Sequence, residues 1–397
     1  MNPVRTSLKV MLFLALVTLL GSIYLDRYHA TYGHRNYENL QYHTTYGHRN
    51  YENLHEVALI DPVDHINITN SIDAKRSRKL IIDYLWPEKH SLPSGKYTSV
   101  LMSGAGTVFF PEELAGIKQH KAGKVTLLEY IMPGGALTVL YKIQPKNKND
   151  NTIPVLLHQG HRAGLGDGIA EMANALLANG HTTVLMQMPM VSWNRWSGPS
   201  SPDCPRSWSR SVFGHNQLFE YRETLPATPM SYFIEPVVAA INYLEKSSSS
   251  DSFAMIRLSG GGWTAHIAAS IDPRITLSFP VAGSYPLYLR PYFHGSQGDA
   301  EQVDPKLYEE RASWLDIYLL SALESGRKQY QILNFYDSCC FHGPGGEHYA
   351  QALTERLELV GKGDWKLLVD KSHHGHSISP WARQKILHAI NQYQGKH

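Results

Sequence analysis

The residues best suited to covalent chemistry are Ile256-Arg257-Leu258-Ser259-Gly260-Gly261-Gly262-Trp263. An apolar run at 253–256 leads into a serine followed by glycines, and a helical pattern covers 264–271. A serine on a tight strand-to-helix turn has its hydroxyl lifted clear of the sheet. The amide that follows it then faces any negative charge that develops on a substrate oxygen. Glycines suit such a turn because strand and helix backbones pass too close for Cβ atoms and because the turn strains φ/ψ. The same four residues would equally make a plain loop, so the rest of the chain has to decide.

Two further stretches follow apolar runs in the same way. The run at 330–335 passes into Asn334-Phe335-Tyr336-Asp337-Ser338-Cys339-Cys340, and after 365–369 comes Lys371-Ser372-His373-His374-Gly375-His376-Ser377-Ile378-Ser379. Serine, acid and histidine therefore occur in that order, each at the end of an expected strand. Such a set supplies a base for the serine proton and a carboxylate that fixes the imidazole tautomer and stabilises its cation. Asp316, Asp364 and Asp370 fit the pattern less well than Asp337, whose bland alternative is a loop-capping role. His376 has the best position of the three histidines, since the phrase 375–379 stands directly before the last helix. No elbow surrounds Cys339 or Cys340, so they are expected to pack or cross-link.

The elements that must position these side chains alternate. Strands are expected at 125–131, 137–143, 153–157, 182–188 and 275–281, with Pro133-Gly134-Gly135 joining the first two as a hairpin. Helices are expected at 167–178, stopped by Asn179-Gly180, at 231–246, and at 380–393 with Pro380 in the first turn. This order gives an α/β fold with a mainly parallel sheet and helices on both faces. Ligands in such sheets bind beyond the carboxyl ends of the strands.

From about residue 124 to the C-terminus the chain resembles the α/β-hydrolase superfamily. The resemblance implies Ser259 as nucleophile, Asp337 as orienting acid and His376 as base. It also implies an oxyanion hole built from the Gly260 amide and an amide of the His158-Gln159-Gly160-His161 turn, with His161 ahead of Gln159. The implied activity is hydrolysis of a carboxylester or carbohydrate ester, on a small molecule or polymer, through an acyl-enzyme and without cofactor or metal. Insertions at 189–230 and 284–328 would cap the site, their aromatic residues forming either a small core or a platform for sugar rings or an acyl chain. Arg195, Arg206 and Arg210 in the first would attract an acidic group or simply face solvent. One departure stands out: Arg257 occupies the place where the superfamily usually has the first glycine of Gly-x-Ser-x-Gly. Such a side chain would distort the elbow or reach into the cap to bind substrate. It motivates an alternative reading, a catalytically degenerate, membrane-tethered binding protein. An acyltransferase using the same triad is a further alternative.

Composition narrows the field. The 397 residues suffice for one large domain with insertions. A formal net charge of +2 without a basic block argues against nucleic acid as partner. Three cysteines are too few for a disulfide scaffold and lack zinc-site spacing, although Cys204 could bridge to the 339–340 pair in an oxidising compartment. Arg5 and Lys9 precede an apolar run at 10–25, so residues 1–28 are expected to be a signal-anchor with the catalytic domain on the non-cytoplasmic side of a membrane. HATYGHRNYENLQY at 29–42 is nearly copied in HTTYGHRNYENLHE at 43–56. Two copies are too few to stack as a solenoid, and a polar stalk is expected there, followed by an N-terminal extension at 57–123.

Overall fold

The computed structural model describes residues 54–104, 107–108, 111–149, 152–194, 217–220, 222–248, 250–293 and 295–394. The apolar run at 10–25, nearly all of the duplicated segment, and Arg195, Cys204, Arg206 and Arg210 lie outside the described residues. No helix among the described residues is long and apolar enough to cross a membrane.

The described chain is organised around a nine-stranded sheet. Its strands are β1 (Thr98–Leu101), β2 (Ala122–Ile131), β3 (Leu137–Pro145), β4 (Val155–His158), β5 (Thr183–Met186), β6 (Phe253–Leu258), β7 (Ile275–Val281), β8 (Lys328–Asn334) and β9 (Asp364–Asp370). The spatial order is β1-β2-β3-β5-β4-β6-β7-β8-β9. The first four strands in that order pair antiparallel, and every pairing from β5 to β9 is parallel. The parallel half thus brings the carboxyl ends of β4, β6, β8 and β9 to one edge.

The larger helices are α1 (Ser71–Leu85), α2 (Ile169–Ala178), α3 (Ser231–Ser248), α4 (Gly260–Ile271), α5 (Trp314–Ser321), α6 (Gly345–Val360) and α7 (Pro380–Gln394). Strand β6 shows why helices cover both faces. Side chains alternate along a strand, and every residue of β6 is buried. Ala254, Ile256 and Leu258 pack with Ile169, Met172 and Leu176 of α2 and Ile386 and Ile390 of α7. Phe253 and Met255 pack on the other side with Val237, Ile241 and Leu244 of α3 and Ala265 and Ala268 of α4.

The described residues between 54 and 123 pack against this core. Strand β1 extends the sheet by pairing with β2, earlier than the sequence pattern placed its first strand. Asn70 caps α1 by accepting from the amides of Ile72 and Asp73, and Ile81 and Leu85 are fully buried. Arg78 donates to the carbonyls of Ser270 and Leu320 at 2.8 and 3.2 Å. Asp316, at the start of α5, accepts from the Asn67 amide at 2.8 Å, the Asn67 side chain at 2.7 Å and the Ile68 amide at 3.0 Å.

Within 284–328 the aromatic residues are largely consumed by packing. Tyr285, Phe293, Tyr308, Trp314 and Tyr318 are buried, and the Tyr308 and Trp314 rings stack at 4.6 Å. Arg290 lies over the faces of Trp314 and Phe341, 5.2 and 5.5 Å from their centroids, and burial lowers its pKa to about 10. These rings form a small core within the insertion.

Candidate active site

Ser259 stands between β6 and α4 with φ 57° and ψ −126°. An L-residue with a side chain rarely adopts this conformation, and a fold that holds one there usually does so at a functional site. The turn is fastened by the Ser259 amide, which donates to the Val281 carbonyl at 2.8 Å. The loop after β4 passes directly over it: a Cβ on Gly160 would lie 3.1 Å from Ser259 Oγ and closer still to its Cβ. The His161 ring rests against Gly260, where a Cβ would lie 2.7 Å from its Nε2. Gly260 opens α4, so its amide has no acceptor within the helix and stands at the positive end of the helix dipole.

Arg257 neither distorts this turn nor reaches a cap. It is fully buried on the β6 face that carries Phe253 and Met255. Its Nη2 lies 3.3 Å from the Met186 sulfur, while Nε and Nη1 are buried without a hydrogen-bond partner among the described residues. Burial pushes its pKa well below the ordinary guanidinium value, against the opposing influence of Tyr97. The substrate-binding role suggested for it is therefore corrected, because strand alternation turns residue 257 into the core.

The acid and the histidine meet. His376 Nδ1 lies 3.0 Å from Asp337 Oδ1 and 2.9 Å from Oδ2. Asp337 is fully buried. Its Oδ1 also accepts from the amides of Cys339 and Cys340 at 2.7 and 3.3 Å, and its Oδ2 from Asn334 Nδ2 at 3.1 Å. The same Asn334 amide group reaches the Ser377 and Gly375 carbonyls at 3.1 and 3.4 Å, tying the acid's loop to the histidine's. His376 Nε2 is buried and has no hydrogen-bond partner among the described residues. The two rival histidines are engaged elsewhere: His373 Nε2 lies 3.4 Å from Asp370, and His374 stacks on Tyr336 at 4.9 Å.

His161 has a role in its side chain that the sequence reading did not assign. Its Nε2 lies 2.9 Å from Glu301 Oε1 and 3.2 Å from Asp299 Oδ2, both from the second insertion. Burial works against the charged imidazole, but the Glu301 hydrogen bond and the two carboxylate charges outweigh it and raise its pKa. Gln159 is buried and turned inward, its Oε1 accepting from the Gly160 amide at 2.9 Å.

Cys339 and Cys340 are bonded to each other, so the bridge from Cys204 considered for this pair is replaced by a bond between chain neighbours. Of the residues missed, Asn334 was readable as an amide in the same phrase as Asp337. Asp299 and Glu301 sit in an insertion with no periodic pattern to mark them.

No protein-family model and no curated protein matches the sequence. Solved structures do resemble it. A putative acetyl xylan esterase from Bacteroides fragilis superposes with TM-score 0.54 at 11% identity, covering 81% of this chain and 81% of that one. Acetyl xylan esterase 1 from Thermoanaerobacterium sp. gives 0.52 at 12% identity, with coverage of 86% and 98%. The glucuronoyl esterase from Solibacter usitatus gives 0.51 at 13% identity, with coverage of 80% and 91%. Sheet order, the strained serine turn and these likenesses agree that the chain has the fold of the α/β-hydrolase superfamily.

Proposed function

We propose that this protein is a serine esterase that uses Ser259, His376 and Asp337 as a catalytic triad. The observation that carries the reading is the His376–Asp337 pair. With Nδ1 committed to both carboxylate oxygens, the tautomer leaves Nε2 as a lone-pair acceptor. That nitrogen is buried and unpartnered at the sheet edge to which Ser259 also belongs. In the first step Nε2 takes the Ser259 proton as Oγ attacks the ester carbonyl. The Gly260 and His161 amides hold the resulting oxyanion. His376 then returns the proton to the departing alcohol, and water repeats the sequence on the acyl-enzyme to release the acid.

The substrate class we propose is an ester on a carbohydrate. Its support is the names of the structures this fold resembles, two acetyl xylan esterases and a glucuronoyl esterase. The test is release of acetate from acetylated xylo-oligosaccharides and hydrolysis of p-nitrophenyl acetate, each beside Ser259→Ala. The variant is expected to lose at least about 10³-fold in kcat. Equal rates for the two proteins, with no fluorophosphonate label on the wild type, would sink the esterase reading. We also propose that the run at 10–25 tethers the enzyme to a membrane, on its apolar length and the preceding Arg5 and Lys9. Full-length protein is expected to stay with membranes through alkaline carbonate extraction, and its release would remove the tether.

A further inference from the structure

The turn that carries Asp337 also carries the Cys339–Cys340 disulfide. The bond closes a small covalent ring that contains the 339–340 peptide, so disulfide and backbone form one stiff unit. The ring's own amide, the Cys340 N–H, and the Cys339 N–H just outside it donate to Asp337 Oδ1. Its far side is held by the second insertion. The Phe341 amide donates to Ser296 Oγ at 2.9 Å, and Gly295 approaches the Cys339 carbonyl so closely that a Cβ would lie 2.5 Å from it. Cys339 is exposed to solvent and Cys340 is half-buried. The cysteine sulfurs and a ring nitrogen of His376 all lie within 4.8 Å of one another.

From this arrangement we propose that Cys339–Cys340 is a reversible thiol–disulfide site, open to an external dithiol, that controls the acid–base pair. The inference rests on reading Asp337 and His376 as catalytic. Oxidised, the ring holds the Cys340 amide, and the Cys339 amide attached to it, on Asp337. Reduction begins when a thiolate of the dithiol attacks the exposed Cys339 sulfur. The S–S bond breaks, and Cys340 leaves as a thiolate and takes a proton. The second thiol of the dithiol then attacks the mixed disulfide, releasing Cys339. The dithiol is oxidised by two electrons to its own disulfide, and the cysteine pair gains two electrons and two protons. One consequence follows for the base: the opened turn no longer fixes the amides that hold Asp337 Oδ1.

The test uses full-length protein and follows the rate of fluorophosphonate labelling at Ser259 in the oxidised state, after dithiothreitol, and after return to oxidised glutathione. Alkylation and peptide mapping count the thiols at 339 and 340 in each state. Reduction is expected to expose both thiols and slow labelling about tenfold or more, the size expected when a buried carboxylate loses a charged hydrogen bond. The loss should fall on the maximal labelling rate and leave the half-saturating probe concentration unchanged, since the turn orients the base and does not hold the probe. Reoxidation should restore the rate, and Cys339→Ser/Cys340→Ser should show no response to either reagent, which excludes an effect through Cys204. Two outcomes overturn the inference while leaving the triad standing: a bond that resists dithiothreitol in the folded protein, or confirmed reduction with an unchanged labelling rate. If Ser259 labels in neither state while the thiols still open and close, the triad reading falls and this inference falls with it.

Discussion

Asn334 is the residue whose position says most about how the site is kept in order. It is fully buried, and one amide group spans the carboxylate of Asp337 and the backbone on both sides of His376. Losing a hydrogen bond to a charged group costs about 1.5–3 kcal/mol. Asn334→Ala is therefore expected to lower kcat by roughly ten- to a hundredfold with KM nearly unchanged. Steady-state kinetics on p-nitrophenyl acetate would check it, and a change confined to KM would move Asn334 from the catalytic pair to the substrate. At this scale much of the candidate site was legible. Ser259, Asp337 and His376 each follow a strand, and chain order alone suggested their grouping. The phrase before the last helix already favoured His376 among three neighbouring histidines, and the fold agrees: His376 meets Asp337, while His373 lies by Asp370 and His374 stacks on Tyr336.

At the scale of elements, Arg257 shows a misreading with an available remedy. Phe253, Met255 and Arg257 share one face by the two-residue period of a strand, so the guanidinium was bound to enter the layer beneath α3. A buried charge without a partner is costly. Replacing it with an apolar side chain of similar length, Arg257→Met, is expected to stabilise the protein by about 1–3 kcal/mol, read by chemical denaturation. A destabilised variant would mean that the guanidinium has a bound counter-ion or water in solution. The second insertion makes a different contribution. It meets the loop after β4 through Glu301, Asp299 and His161. Because the folded pKa of His161 is raised above its ordinary value of 6.5, this pair's stabilisation is complete below that pH. It is lost as pH rises through the folded pKa. Thermal melts are expected to show stability declining across that window in the wild type and a flatter profile in Glu301→Gln. Parallel profiles would show that the pair does not titrate as the geometry implies.

For the whole molecule, alternation of apolar runs and helical periods was enough to give the layers and the mainly parallel order of the strands. Period and punctuation revealed the strands from β2 onward because those strands are long or bounded by Gly, Pro and Asn. They did not reveal how the chain before residue 124 is used. Thr98–Leu101 is too short to declare itself, and the value of α1 lies in partners far along the sequence: Ser270, Leu320 and, for the residues just ahead of it, Asp316. That last connection has a consequence in time. Ile68 must wait for Asp316, which is 248 residues further on, and a ribosome adding about 5–20 residues per second needs roughly 12–50 s to reach it. Leu85 and Trp86 meet Thr228 and Glu235 sooner, 143 and 149 residues on, so the buried residues of this stretch find their partners in stages. The stretch at 66–86 is thus anchored to the core in order of synthesis, and its last tie, Ile68 to Asp316, closes latest.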